Sequence, residues 1–263
     1  MNNAQQDKHR QVGMNCHAIS CSCRPLMTIV AILILVFGAL LLAQQVIRRA
    51  KGAETPKSPA KTPTKTDPYQ WKSMFDGKTL KGWKVPKFGG EGDVLVKDGT
   101  IILEMGDSIT GITWTGKLPK IDYEVELKGM RVDGNDFFAT TTFPVGDKPC
   151  SLVVGGWGGP VVGLSCIDYY DAGDNITTQF LDFKKGKWYQ VRIRVTKTKI
   201  EAWIDKEKVV DLLTKDRHIS IRDEVDLCRP FGIASWCTKA ALRDIRIRKL
   251  KPQEAKPKPE SKK

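Results

Sequence analysis

Residues 150–166, CSLVVGGWGGPVVGLSC, are almost palindromic about Gly158. Folding the chain there sets Leu152 opposite Leu164 and Val154 opposite Val162. The loop Gly156-Trp157-Gly158-Gly159-Pro160 supplies the backbone freedom that a tight return needs. The pattern predicts an antiparallel hairpin whose register also puts Cys150 opposite Cys166. A non-hydrogen-bonded pair brings its Cα atoms within disulfide range. In an exported domain those two residues can form a bridge; the other reading, and the preferred one, is two small core thiols.

Outward from the hairpin, short alternating runs continue in both directions, broken by Gly, Asp, Asn and Pro. TIILE (100–104) follows the turn Lys97-Asp98-Gly99, and in IDYEVELKGM (121–130) Tyr123, Val125 and Leu127 oppose Glu124, Glu126 and Lys128. DFFATTTFPV (136–145), WYQVRIRVT (188–196), KIEAWID (199–205) and LRDIRIRKL (242–250) read the same way. The one stretch with a helical cast is a turn near 206–216. About a dozen strands in roughly 180 residues predict an all-β, two-sheet antiparallel jelly-roll sandwich over 69–250.

The formal charge of +13 on 263 residues first suggests a polyanion partner. Its location argues otherwise. Segments 1–26, 44–68 and 249–263 carry +2, +4 and +4, which leaves +3 on residues 69–248. The folded segment is nearly balanced and holds no nucleic-acid motif, so no nucleic-acid partner is expected.

Residues 26–43, LMTIVAILILVFGALLLA, are uncharged and would span about 27 Å as a helix. The run is longer than a usual signal-peptide apolar region, and Leu41-Leu42-Ala43 is a poor cleavage site. The expected organisation is a short tail (1–25), a transmembrane signal anchor (26–44) and a disordered Pro/Lys/Thr linker (45–68). The sandwich (69–250) and a disordered basic tail (251–263) follow. A cleavable signal peptide is the competing reading. Arg48, Arg49, Lys51 and Lys57 after the span favour a cytoplasmic domain by charge counting, whereas the plan of tail, span, linker and domain favours a cell-membrane protein with its domain outside. Cys16, Cys21 and Cys23 before the span are candidates for acylation or are free thiols. The basic linker and tail are solvated tethers or docks for anionic polymer.

The opening WKSMFDGKTLKGWK (71–84) resembles the start of the 3-keto-disaccharide hydrolase domain family. The similarity continues in VLVKDGTIIL (94–103), IDYEVELKGMR (121–131), GKWYQVRIRVTKTKIEAWIDKEKVVD (186–211) and LRDIRIRKL (242–250). The resemblance implies a concanavalin A-like or laminin G-like sandwich that cleaves glycosides oxidised at C3. A 3-keto group acidifies the C2 proton, a base removes it, and the glycosidic oxygen leaves by elimination. In mid-domain the family's Arg and Tyr-Glu strand have no counterpart in GNDFFATTTFPVGDKPCSLVVGG, although Asn135 and Asp136 stand there. A non-catalytic carbohydrate-binding or envelope-interaction module is therefore the alternative.

His218 is the one histidine of the domain, so carboxylates are the candidate bases: Glu124, Glu126 and Asp136. Glu124 and Glu126 share a strand face and are either proton-transfer groups or a solvated convex surface. Trp157, at the tip of its glycine loop, is a sugar-stacking platform or a cap folded back on the sandwich edge. Asp168, Tyr169, Asp171, Asn175 and Gln179, in IDYYDAGDNITTQ, are candidate sugar contacts, and their oxygens suit a divalent cation such as calcium. Their other reading is turn chemistry. Trp203 and Trp236 read as packing residues.

Overall fold

A computed structural model describes residues 67–256 of the chain. Two antiparallel sheets face each other. One runs β13 (Glu207–Leu213), β12 (Lys199–Ile204), β11 (Trp188–Val195), β6 (Tyr123–Asp133), β15 (Lys239–Lys249), β4 (Thr100–Leu103) and β3 (Val94–Lys97). The short β1 (Lys72–Ser73) also pairs with β15, which makes eight strands among the described residues. The other sheet runs β10 (Gln179–Phe180), β9 (Val161–Ser165), β8 (Lys148–Gly156), β7 (Thr140–Val145), β14 (Gly232–Trp236), β5 (Ile109–Trp114) and β2 (Trp83–Lys84). This is the all-β sandwich that the alternating runs predict.

Period-two patterning decides which atoms meet between the sheets. Tyr123, Val125 and Leu127 of β6 and Val191, Ile193 and Val195 of β11 are buried against Leu152, Val154, Val162 and Leu164 of the facing sheet. The core so formed excludes water from large side chains, each fully buried one contributing about 1.5–3 kcal/mol. Tyr123 reaches across it to donate its hydroxyl to the Pro144 carbonyl at 2.7 Å.

The predicted hairpin is present in the predicted register, Leu152 opposite Leu164 and Val154 opposite Val162. The next pair is Gly156 with Val161, so Gly155 forms a bulge at φ +80°. Cys150 and Cys166 lie one residue beyond the last ladder pair, Ser151 with Ser165, and both are free thiols.

Two local expectations are corrected. Within 206–216 the chain forms the strand Glu207–Leu213 rather than a helical turn: Asp205, at φ +54°, reverses the chain, and Val209, Val210 and Leu212 enter the core. The helical turn comes later, as a 3-10 segment Asp223–Cys228 that lies across β5 and β14. The strand read over 136–145 begins only at Thr140, because Asp136 folds its carboxylate back onto the Phe137 N–H at 2.7 Å. Beyond β15, Pro252–Ala255 form one helical turn tied to Arg248 through Glu254, within the segment read as tail.

The apolar run 26–43, the juxtamembrane cysteines, nearly all of the linker and residues 257–263 of the tail lie outside the described residues. Among the described residues no helix is long and apolar enough to cross a membrane.

Candidate functional site

Strand alternation gives the sheet β10–β2 a second face. Leu152, Val154 and Leu164 point into the core, so Ser151, Val153 and Ser165 point outward. With Thr140 they floor a cleft of about 220 Å³. Hydroxyls on this floor are partly spoken for, since Ser151 and Thr142 share a hydrogen bond of 2.8 Å. Phe137 and Trp236 line the cleft together, with ring centroids 6.4 Å apart. Trp236 therefore borders the cleft rather than only packing.

The hairpin loop places Trp157 on the cleft, 46% exposed and at φ +49°. That left-handed conformation is uncommon for a bulky residue. It is held by its neighbours: the Gly158 N–H donates to Asp136 Oδ2 at 2.9 Å and the Gly159 N–H to the Gly156 carbonyl at 3.1 Å. Gly173 closes the back of the indole, for a Cβ on it would lie 3.4 Å from the ring. Trp157 thus stands at the cleft instead of capping the sandwich edge.

Arg222 and Glu224, neither singled out in the sequence, complete the wall. Arg222 donates through Nε and Nη2 to the two oxygens of Glu224, at 3.2 and 2.6 Å, and through Nη1 to Asp171 at 3.1 Å. The paired charge holds the Glu224 carboxyl below the ordinary carboxylate range and the guanidinium above its own. Two of the five guanidinium N–H groups remain for an incoming oxygen. The signal that marks this pair is positional: an Arg and a Glu two residues apart, opening a short helical segment that the sheet holds in place.

Of the proposed site residues, Asp136, Trp157 and Asp171 come together here. The others do not. Glu124 and Glu126 lie on the outer face of the opposite sheet, with the core between them and the cleft. Glu124 is 1% exposed and gives both oxygens to Arg194 and Arg248, and Glu126 pairs with Arg246. They form a structural ion network, not an acid–base pair. Asp168 binds Arg217 at 2.6 Å and the His218 N–H at 2.9 Å, and Tyr169 stacks on His218 at 4.0 Å.

Asn175 is a loop organiser. Its Nδ2 lies within hydrogen-bonding distance of the carbonyls of Leu164, Tyr170 and Asp171, and its Oδ1 accepts from the N–H and hydroxyl of Thr177. Gln179 sits exposed on the edge strand, paired with Val162. The side-chain oxygens of Asp168, Asp171 and Asn175 are thus engaged within the protein, those of Tyr169 and Gln179 are exposed, and among the described residues no three His, Cys, Asp or Glu side chains are grouped as metal ligands. Turn chemistry accounts for this loop.

The sandwich thus carries an aromatic side chain, carboxylates and a guanidinium over a hydroxyl-floored cleft. The chain belongs to the family described as the 3-keto-alpha-glucoside-1,2-lyase-like domain, which matches residues 70–248. No match is found among curated proteins. Among solved structures it is similar to a carbohydrate-binding module from Bacillus subtilis, at 15% identity over 64% of this chain and 95% of that one, with a TM-score of 0.44. A laminarinase from Flavobacterium sp. UMI-01 matches at 14% identity, 69% and 100% coverage and a TM-score of 0.47. The beta-glucanase of Bacillus licheniformis matches at 10% identity, 70% and 99% coverage and a TM-score of 0.47.

Proposed function

We propose that the cleft between Trp157 and the Arg222–Glu224 pair binds a glycoside oxidised at C3 and cleaves it by elimination. The observation that carries this is the convergence on one cleft of an indole platform, a carboxylate at Asp136 and an Arg222 with unused N–H groups. The apolar face of a pyranose stacks on the indole. Arg222 donates to the C3 keto oxygen and stabilises the negative charge that develops there.

Asp136 removes the C2 proton. Each of its oxygens accepts one backbone N–H and keeps a lone pair for the cleft. The C2–H electrons form a C2–C3 double bond and place the charge on the keto oxygen. Collapse of this enolate restores the C3 carbonyl, forms the C1–C2 double bond and breaks the C1–O bond, and the expelled oxygen takes the proton from Asp136 and leaves as the aglycone alcohol. General base help of this kind contributes about 10²–10⁴ in rate.

A second observation favours recognition without turnover. Both carboxylates of the cleft are already hydrogen-bonded, Glu224 to Arg222 and Asp136 to the loop. Incubating the full chain with 3-keto-glucosides separates the two readings. Release of aglycone supports elimination. Saturable binding with no release across a broad panel of 3-keto-glycosides supports a binding module and overturns the lyase reading.

The apolar run 26–43 supports a further part of the same reading: the domain is held at a membrane by one helix and works outside the cytoplasm. Extraction of the full chain by carbonate, or protection of the domain from added protease in intact cells, would overturn it.

A further inference from the structure

Arg131 lies on the inward parity of β6, in step with Tyr123, Val125, Leu127 and Gly129, and is only 5% exposed. Its guanidinium sits 5.1 Å from the Phe138 ring centroid and 5.9 Å from that of Phe183. Every hydrogen bond it donates goes to a carbonyl oxygen: Asp136 at 3.2 Å, Phe183 at 3.2 Å, and Gly155 and Gly159 at 3.0 Å each. Desolvation lowers its pKa from the ordinary arginine value. A charge placed in a core costs stability that an apolar side chain of similar volume would not. That cost calls for a role outside packing.

The acceptors give one. Gly155 and Gly159 are the two feet of the loop whose tip is Trp157, and a Cβ on Gly155 would lie 2.5 Å from Arg131 Nη2. The Asp136 carbonyl is the third strut, and its carboxylate holds the Gly158 N–H from the other side. One buried cation therefore fixes both ends of the loop and the segment that carries the cleft carboxylate.

We infer that Arg131 is the positioning residue of the sugar platform, holding the 155–159 loop so that the Trp157 indole and the Asp136 carboxylate keep their spacing before a sugar arrives. This rests on the reading of the cleft as a sugar site. It makes affinity depend on a residue that never touches the ligand, because the loop's ordering cost is met during folding rather than on binding. Lysine cannot substitute. Its three donors on one flexible stem do not reach four carbonyls on two sides of a planar fork.

The test uses the full chain and methyl α-D-glucoside, which has no C3 ketone and so is not turned over, as probe. Affinity is measured by calorimetry for wild type, W157A, R131M, R131K, G155A and the double variant W157A/R131M. Exposure of Trp157 is read as the iodide quenching that is lost on Trp157→Phe. W157A is expected to weaken binding about tenfold, and R131M, R131K and G155A to do the same. In the W157A background R131M should add less than about a twofold loss, since coupled residues are not additive. Trp157 quenching should rise in R131M and R131K while the far-ultraviolet spectrum is kept.

Independent, additive losses would overturn the inference, as would unchanged quenching and affinity in R131K and G155A. If R131M does not fold, G155A carries the same test from the loop side. If W157A itself binds normally, the sugar-site reading fails and takes the functional claim with it, while the quenching result still decides whether Arg131 fixes the loop.

Discussion

Glu124 and Arg194 meet at 3.0 Å on the outer face of the eight-stranded sheet, and the carboxylate that binds this guanidinium also binds Arg248 through its other oxygen. Glu124 is 1% exposed, so its charge is carried by these partners and not by water. Replacing it by Gln leaves the two guanidinium groups facing a neutral amide. Breaking a buried pair from one side costs about 3–5 kcal/mol. Urea unfolding of E124Q should show a loss of that order. Sugar affinity of the folded protein should stay at the wild-type value, because the core lies between this network and the cleft. A variant that kept its stability and lost its sugar would restore Glu124 to the candidate site.

That residue shows what alternation can and cannot tell. The sequence places Glu124 opposite Tyr123 and Val125, and the structure does the same. Period two assigns a face; it does not say whether the face looks onto water, a cleft or a layer of arginines. The strands, the hairpin register and the free turn at Trp157 were readable because their signals are local: mirror symmetry of apolar residues and clustered glycines. Arg131 was readable in principle, as a charge at an inward position of β6, but its partners are backbone carbonyls that leave no trace in side-chain identity. Arg222 and Glu224 were missed because a 3-10 segment of six residues has no period long enough to see, and only the fold brings them to Asp171.

The opening FDGKTL segment carries a pH-sensitive cap. Asp76 accepts from the N–H groups of Lys78 and Thr79 and from the Thr79 hydroxyl, at 2.8, 2.7 and 2.7 Å. The Thr79 hydroxyl bond, helped by the two backbone N–H groups, holds its pKa near about 2, against an ordinary 3.8. A pKa lowered by folding contributes stability above the unfolded value and loses it as pH falls through the folded one. The Tm gap between wild type and D76A should be open above about pH 4 and close as pH falls towards about 2. A gap independent of pH would show that the carboxylate's charge is not what stabilises this turn.

Cys150 and Cys228 should be inert as thiols. Both are buried; desolvation pushes Cys228 up to about 12 and Cys150 well above the ordinary thiol range. The thiolate is the reactive form, so neither ionises at neutral pH. Alkylation of the native chain at pH 8 followed by peptide mapping should find both unlabelled, and labelling should appear only in denaturant. Modification of Cys150 in the native state would mean that the base of the hairpin opens locally.

The division of labour in the cleft is open to a paired substitution. Arg222 is the donor to the keto oxygen in the elimination reading, whereas Glu224 only orients it. R222M should then cut turnover of a 3-keto-glucoside by about 10²–10³, the scale for losing one oxyanion donor. E224Q keeps the guanidinium and removes only its tether, so turnover should fall by less than about tenfold. The pH profile sharpens the contrast. Pairing with Arg222 lowers the Glu224 pKa, so the pair is intact above the ordinary glutamate range and is lost only as pH falls below it. Wild-type turnover should therefore show no limb from Glu224 between about pH 5 and 8. If R222M and E224Q fall together by the same factor, the pair acts as a unit in holding the cleft, and the keto oxygen finds its donor elsewhere.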